Sequence, residues 1–166
     1  MRSGAAAWAG RIRRVTAREW VVLAESAVFA IGLEVALRLL PLSTVLGAVQ
    51  GRHVAGSPRP DRASLERIAR LVRWPFTVLP FRATCLRIAL VQVAVLRRRR
   101  VPATVRFGVQ RRNGHELEFH AWADCDGAID DQAGAAAYRA FEPVTPAAIT
   151  RNARWLPPAA PPDAAA

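Results

Sequence analysis

The order of apolar and polar positions divides the chain into a helical first half and a β-rich second half. Over residues 17–40, Trp20, Leu23, Ala24, Ala27, Val28 and Ile31 recur at helical spacing, while Arg18, Glu19, Glu25 and Ser26 share the opposite face. Glu34 and Arg38 are spaced for an i,i+4 ion pair on another side of the same helix. Gly32 between the two halves marks a bend or a close contact. Pro41 ends this helix, and a shorter one is expected over residues 42–49. Gly51, Gly56, Pro58 and Pro60 read as a loop. His53 lies within it, has no sequence partner and receives no role. Asp61 is placed to cap a third helix reaching about Arg73, with Leu65, Ile68, Ala69 and Val72 on its apolar face. Residues 74–80, bracketed by Pro75 and Pro80, are expected to be extended.

From residue 85 to 96 only Arg87 and Gln92 interrupt the apolar residues, which describes a buried central helix. Thr84 is its expected N-cap, so Cys85 takes the first helical position. Beyond Pro102 the period becomes two. Val105, Phe107 and Val109 face one way in a first strand. In a second, Leu117, Phe119, Ala121 and Ala123 oppose Glu118, His120, Trp122 and Asp124. Arg112-Asn113-Gly114 and Asp126-Gly127 are turn signals, the latter leading into a short third strand over residues 128–131. Helices first and an antiparallel sheet afterwards indicate an α+β fold. The expected organisation is an N-terminal helical preamble and loop (1–60), a core (61–142) and an irregular Pro/Ala-rich tail (143–166). Residues 1–16 are small and basic and are expected to be poorly ordered.

Charge alters this picture moderately. The 24 basic residues, all Arg, exceed the 13 acidic ones, for a net charge of +11. An acidic partner is therefore favoured: a nucleic acid, an anionic membrane or an acidic peptide. Without Lys there is no Schiff-base chemistry. The densest run, Arg97 to Arg100, reads as a solvated helix C-terminus complementing the helix dipole. No aromatic residue interleaves with it, which argues against a nucleic-acid stacking platform. Two cysteines make no disulfide framework, and no CxxC or Cys/His cluster suggests a metal, so no cofactor is expected and a reducing cytoplasm is the simplest setting. The longest charge-free run in the first helix, residues 26–33, is too short to span a bilayer. Any membrane contact is then expected to be peripheral.

The candidate chemistry lies at Cys85 and His120. The positive end of a helix dipole favours a thiolate, and a buried helix holds that sulfur rigidly. His120, on the polar face of a strand, is the candidate base. A two-residue turn at Asp126-Gly127 pairs Cys125 with Ala128 and Trp122 with Asp131. Asp131 then shares His120's face as an orienting acid, whereas a bulge would substitute Asp130. Taken singly, a buried cysteine or a strand histidine is an ordinary structural residue. Their order along these elements is what suggests a triad.

The stretch Phe81-Arg82-Ala83-Thr84-Cys85-Leu86-Arg87-Ile88-Ala89-Leu90, then Leu96 with its Arg run, Val101-Pro102-Ala103, Arg106-Phe107-Gly108-Val109, His120-Ala121-Trp122-Ala123-Asp124 and Asp126-Gly127, resembles the lasso peptide leader peptidases. These are the transglutaminase-like, papain-like protease half of the lasso peptide biosynthesis B proteins, which include microcin-processing proteins. The resemblance runs from about Arg62 to Asp131. It implies a central Cys-bearing helix packed on a small antiparallel sheet, with Cys85 as nucleophile, His120 as base and Asp131 as orienting acid. The implied substrate is a ribosomally made precursor peptide, cut between leader and core. Implied partners are a leader-recognition protein in trans and an ATP-dependent cyclase. Two positions depart from the family pattern: Asp124 stands where Glu is usual, and Phe81 where Trp is frequent. With Thr84 and Trp122, these are candidates for supporting the site or contacting substrate. Transglutaminase-like acyl transfer and a non-catalytic docking module for an acidic peptide are the alternatives.

Overall fold

The computed structural model describes residues 15–51, 60–112, 116–125, 128–129 and 138–141. Helices α1 (Ala17–Leu39), α2 (Leu42–Gln50), α3 (Arg62–Arg73), α4 (Pro75–Val78) and α5 (Cys85–Arg98) precede strands β1 (Thr104–Arg112), β2 (Glu116–Cys125), β3 (Ala128–Ile129) and β4 (Arg139–Ala140). The antiparallel sheet has the order β3-β2-β1-β4, confirming the α+β class.

Local chemistry sets the helix starts. At α1, Thr16 and Glu19 form a reciprocal capping box, and Arg67 of α3 pairs with the same carboxylate at 2.6 Å. The bond from Arg67, with those from Thr16, holds the Glu19 carboxyl down to about 2. Asp61 accepts from the Ser64 amide at α3, and Thr84 from the Arg87 amide at α5. The expected extended stretch at 74–80 instead contains α4. Pro75 occupies its first turn, where a missing N–H and a fixed φ cause no loss. Gly32 introduces no break in α1, and nothing lies within 4 Å of the Cβ it lacks.

The core is built around α5. Leu90, Val91, Val93, Val95 and Leu96 are almost fully buried against Ala30 and Leu33 of α1, Val45 and Leu46 of α2, Val72 of α3, and Val105, Ala121 and Ala123 of the sheet. The N-terminal helices therefore complete the same core as the sheet.

Helix α1 is rotated from its expected orientation. Ser26 is fully buried and Glu34 nearly so, whereas Trp20, Val28 and Ile31 are exposed. The cause is pairing with α5. Glu25 meets Arg98 (2.9 Å) and Arg99 (2.6 Å), and Glu34 meets Arg87 (2.8 Å) besides its expected neighbour Arg38 (2.9 Å). Ser26 donates back to the Val22 carbonyl at 2.7 Å. The arginine run is accordingly only partly solvated: Arg98 and Arg100 are exposed at the helix C-terminus, while Arg97 and Arg99 are half-buried. Arg97 donates to the carbonyls of Ala103 and Gly51, while Arg98 and Arg99 clasp α1. Arg100, at φ 61°, makes the sharp exit toward β1.

Candidate active site

Cys85 opens α5 with its thiol half-buried and free of any disulfide, directly after the Thr84 cap. The sequence places it there through two local features: a capping threonine, and an apolar run that only a buried helix satisfies. Phe81, half-buried, lies on the approach to this helix.

His120 lies in β2, opposite Gly108 of β1. Two aromatic rings fix its imidazole. Trp122 stacks at 6.1 Å with 19° between planes, and Tyr138 at 5.0 Å with 30°. Gly108 makes this possible, because a Cβ there would stand 2.8 Å from Cη2 of Trp122 and 3.0 Å from the Arg139 carbonyl oxygen. Burial lowers the His120 pKa below its usual 6.5; the Glu118 charge opposes this and Arg73 adds to it. The imidazole is thus kept neutral at physiological pH, as a general base must be.

A second group of residues braces these rings. Gln110 donates to Glu118 Oε2 at 2.9 Å, and Arg112 approaches the same oxygen at 3.9 Å. The Gln110 bond is the main cause of the lowered Glu118 pKa, with a bond from Tyr138 contributing. Burial first, then the Glu118 charge and hydrogen bond, raise the Tyr138 phenol. The charge of Cys85 raises it further. Tyr138 thus contacts the His120 ring and feels the charge of Cys85.

Sequence reasoning missed Tyr138, Glu118 and Gln110 as site residues. Tyr138 lies in a stretch without periodicity, just before a two-residue edge strand that pairs Arg139 with Val109. A signal for Glu118 was present, since it shares the strand face of His120 two residues away.

The observed register pairs Cys125 with Ala128 and Asp124 with Ile129, as a two-residue turn requires. Asp130 and Asp131 lie outside the described residues, as does His53. Asp124, a substrate-side candidate, is buried and bonded to Arg106 Nε at 3.0 Å. Trp122 is buried too and serves as a wall for His120. Among the described residues, no group of His, Cys, Asp and Glu has the arrangement of a metal site.

A thiol at a helix start and a neutral imidazole on the neighbouring sheet are the group types that nucleophilic attack on an acyl carbon requires. The family model of the transglutaminase-like superfamily matches residues 27–145, from the middle of α1 to beyond β4. Comparisons with curated proteins and with solved structures give no match.

Proposed function

Because this chain belongs to the transglutaminase-like superfamily, we propose that it is a cysteine peptidase that removes the leader from a ribosomally made, lasso-type precursor peptide. The observation that carries the chemistry is the seating of His120 on the sheet, stacked on Trp122 and Tyr138, with Cys85 at the capped start of α5. In this reading His120 takes the Cys85 proton, and the sulfur attacks the scissile carbonyl. His120 then protonates the departing amine, which carries away the core peptide. Water, deprotonated by His120, attacks the thioester and releases the leader with a new carboxylate. The Cys85 amide, at the start of α5, supplies one donor to the oxyanion.

Asp131 is proposed as the acid that orients His120, on the register that β2 and β3 keep as far as Ile129. The lasso-type substrate rests on the motif resemblance. With it go the leader-recognition protein in trans, the ATP-dependent cyclase and a cytoplasmic setting. No nucleic acid and no cofactor take part.

The test is co-expression with a lasso-type precursor peptide sought among the genes flanking this one, read by mass spectrometry. Hydrolysis yields leader and core whose masses sum to the precursor plus one water, and Cys85→Ser abolishes both products. A product joined to an amine would instead establish acyl transfer. Unchanged maturation in Cys85→Ser would leave a docking module. Selective alkylation of Cys85 over Cys125 at neutral pH, slowed in His120→Ala, is the supporting measurement on the chain alone.

A further inference from the structure

Helix α1 is apolar on its outer face as well as its inner one. Val22, Leu23, Ala30 and Leu33 are buried, and the polar residues Ser26, Glu34 and half-buried Glu25 bond inward to the protein. Between Arg18 and Arg38 every exposed residue is apolar. Val21, Val28, Ile31, Val35 and Leu39 form one stripe, with Val28 68% and Leu39 75% exposed. At 1.5 Å per residue the stripe is about 27 Å long. A surface helix ordinarily carries polar residues on its outer face. Beside the stripe an apolar groove of ≈ 330 Å³ runs between Trp20 and Trp74, with Val78 exposed on its wall.

We propose that this face docks onto an anionic lipid bilayer, with α1 lying in the plane of the interface. Three observations favour lipid over protein. Among the described residues, the outer face of α1 between Arg18 and Arg38 offers no exposed polar side chain as the hydrogen-bonding anchor that a protein partner engages. Guanidinium groups stand at both ends of the stripe, at Arg18 and Arg38, on a chain of net charge +11, complementary to anionic headgroups. Indole rings at the groove match the side chains that favour the headgroup boundary. A second copy of this chain would instead bring two charges of +11 together.

The 23-residue α1, with an 18-residue window of mean hydropathy 1.9, is also long and apolar enough to cross a bilayer. Its ion pairs with α5 oppose that. Crossing would tear Glu25 and Glu34 from Arg98, Arg99 and Arg87 and strip the core of Ala30 and Leu33.

The experiment is flotation of the full chain with phosphatidylcholine vesicles, with and without phosphatidylglycerol, comparing wild type with V28E/V35E. Both positions are solvent-facing, and circular dichroism together with Cys85 alkylation verifies that the variant is folded. The expected result is binding to the anionic vesicles, at least about tenfold weaker in the variant and on pure phosphatidylcholine. Release from cell membranes by alkaline carbonate is expected as well. Failure of wild type to float with anionic vesicles overturns the proposal, as does equal binding by the variant. Carbonate resistance would overturn it in favour of a spanning helix. Light scattering that shows a wild-type dimer, lost in the variant without vesicle binding, would assign the face to a second copy.

Discussion

Replacing Gly108 by alanine perturbs the wall of the site at one atom. The added Cβ would stand 2.8 and 2.9 Å from two carbons of the Trp122 ring and 3.0 Å from the Arg139 carbonyl oxygen. Ordinary contact between carbons is about 3.5–4.0 Å. Trp122 is only 5% exposed and lies against His120, so its ring has little room to retreat. The Arg139 oxygen is main chain, and moving it shifts β4 and the Tyr138 beside it. Overpacking of this kind costs about 1–3 kcal/mol. Alanine returns about 0.5 kcal/mol by restricting the unfolded chain. The net loss is about 1–2 kcal/mol, which lowers Tm by about 2–8 °C at this chain length. Thermal unfolding followed by far-UV circular dichroism measures that loss. The rate of Cys85 alkylation at neutral pH, which in the proposed mechanism depends on a correctly placed His120, reads the accompanying displacement. A Tm within about 1 °C of wild type together with an unchanged alkylation rate would refute the steric reasoning.

Two further predictions concern the same rings. Tyr138→Ala removes both the stack on His120 and the bond to Glu118, and should slow Cys85 alkylation by about tenfold or more. Tyr138→Phe keeps the stack and should fall between that variant and wild type; equal rates in all three would show that Tyr138 positions nothing. The lowered His120 pKa fixes the sign of a pH effect on stability. Above about pH 6.5 the imidazole is neutral whether folded or unfolded, so it adds no pH slope. Below about pH 6.5 the unfolded chain takes up the proton first, so stability falls until the pH drops beneath the folded pKa. Urea denaturation between about pH 5 and 8 should show this acid loss in wild type but not its His120 component in His120→Gln; parallel profiles would contradict the assignment.

Much of the skeleton was legible because its signals are local. Asp61 and Thr84 each satisfy an amide within three residues of themselves, so they start helices wherever the chain goes. The Thr16–Glu19 capping box is equally local, but it falls at the edge of a segment expected to be poorly ordered. The apolar run after Cys85 demanded burial, and the Asp126-Gly127 pair fixed the β2–β3 register as far as Ile129. Placing Cys85 on a helix start and His120 on a strand followed from these signals.

Tertiary structure alone decided which way α1 turns and what surrounds the imidazole. With apolar residues on every side, α1 carried no strong directional preference of its own. Its orientation was chosen by the pairing of Glu25 and Glu34 with arginines some fifty to seventy positions away. The same long-range pairing tied Arg98 and Arg99 to α1, leaving Arg99 half-buried and Arg98 exposed. Tyr138 reached His120 only because β4 adds to the edge of β1, and Trp122 found its place only because Gly108 leaves space across the sheet. Caps, turns and periodicity act over a few residues and can be read from sequence. Ion pairs across a core and ring contacts across a sheet depend on where distant segments meet, and that is settled only once the chain has closed on itself.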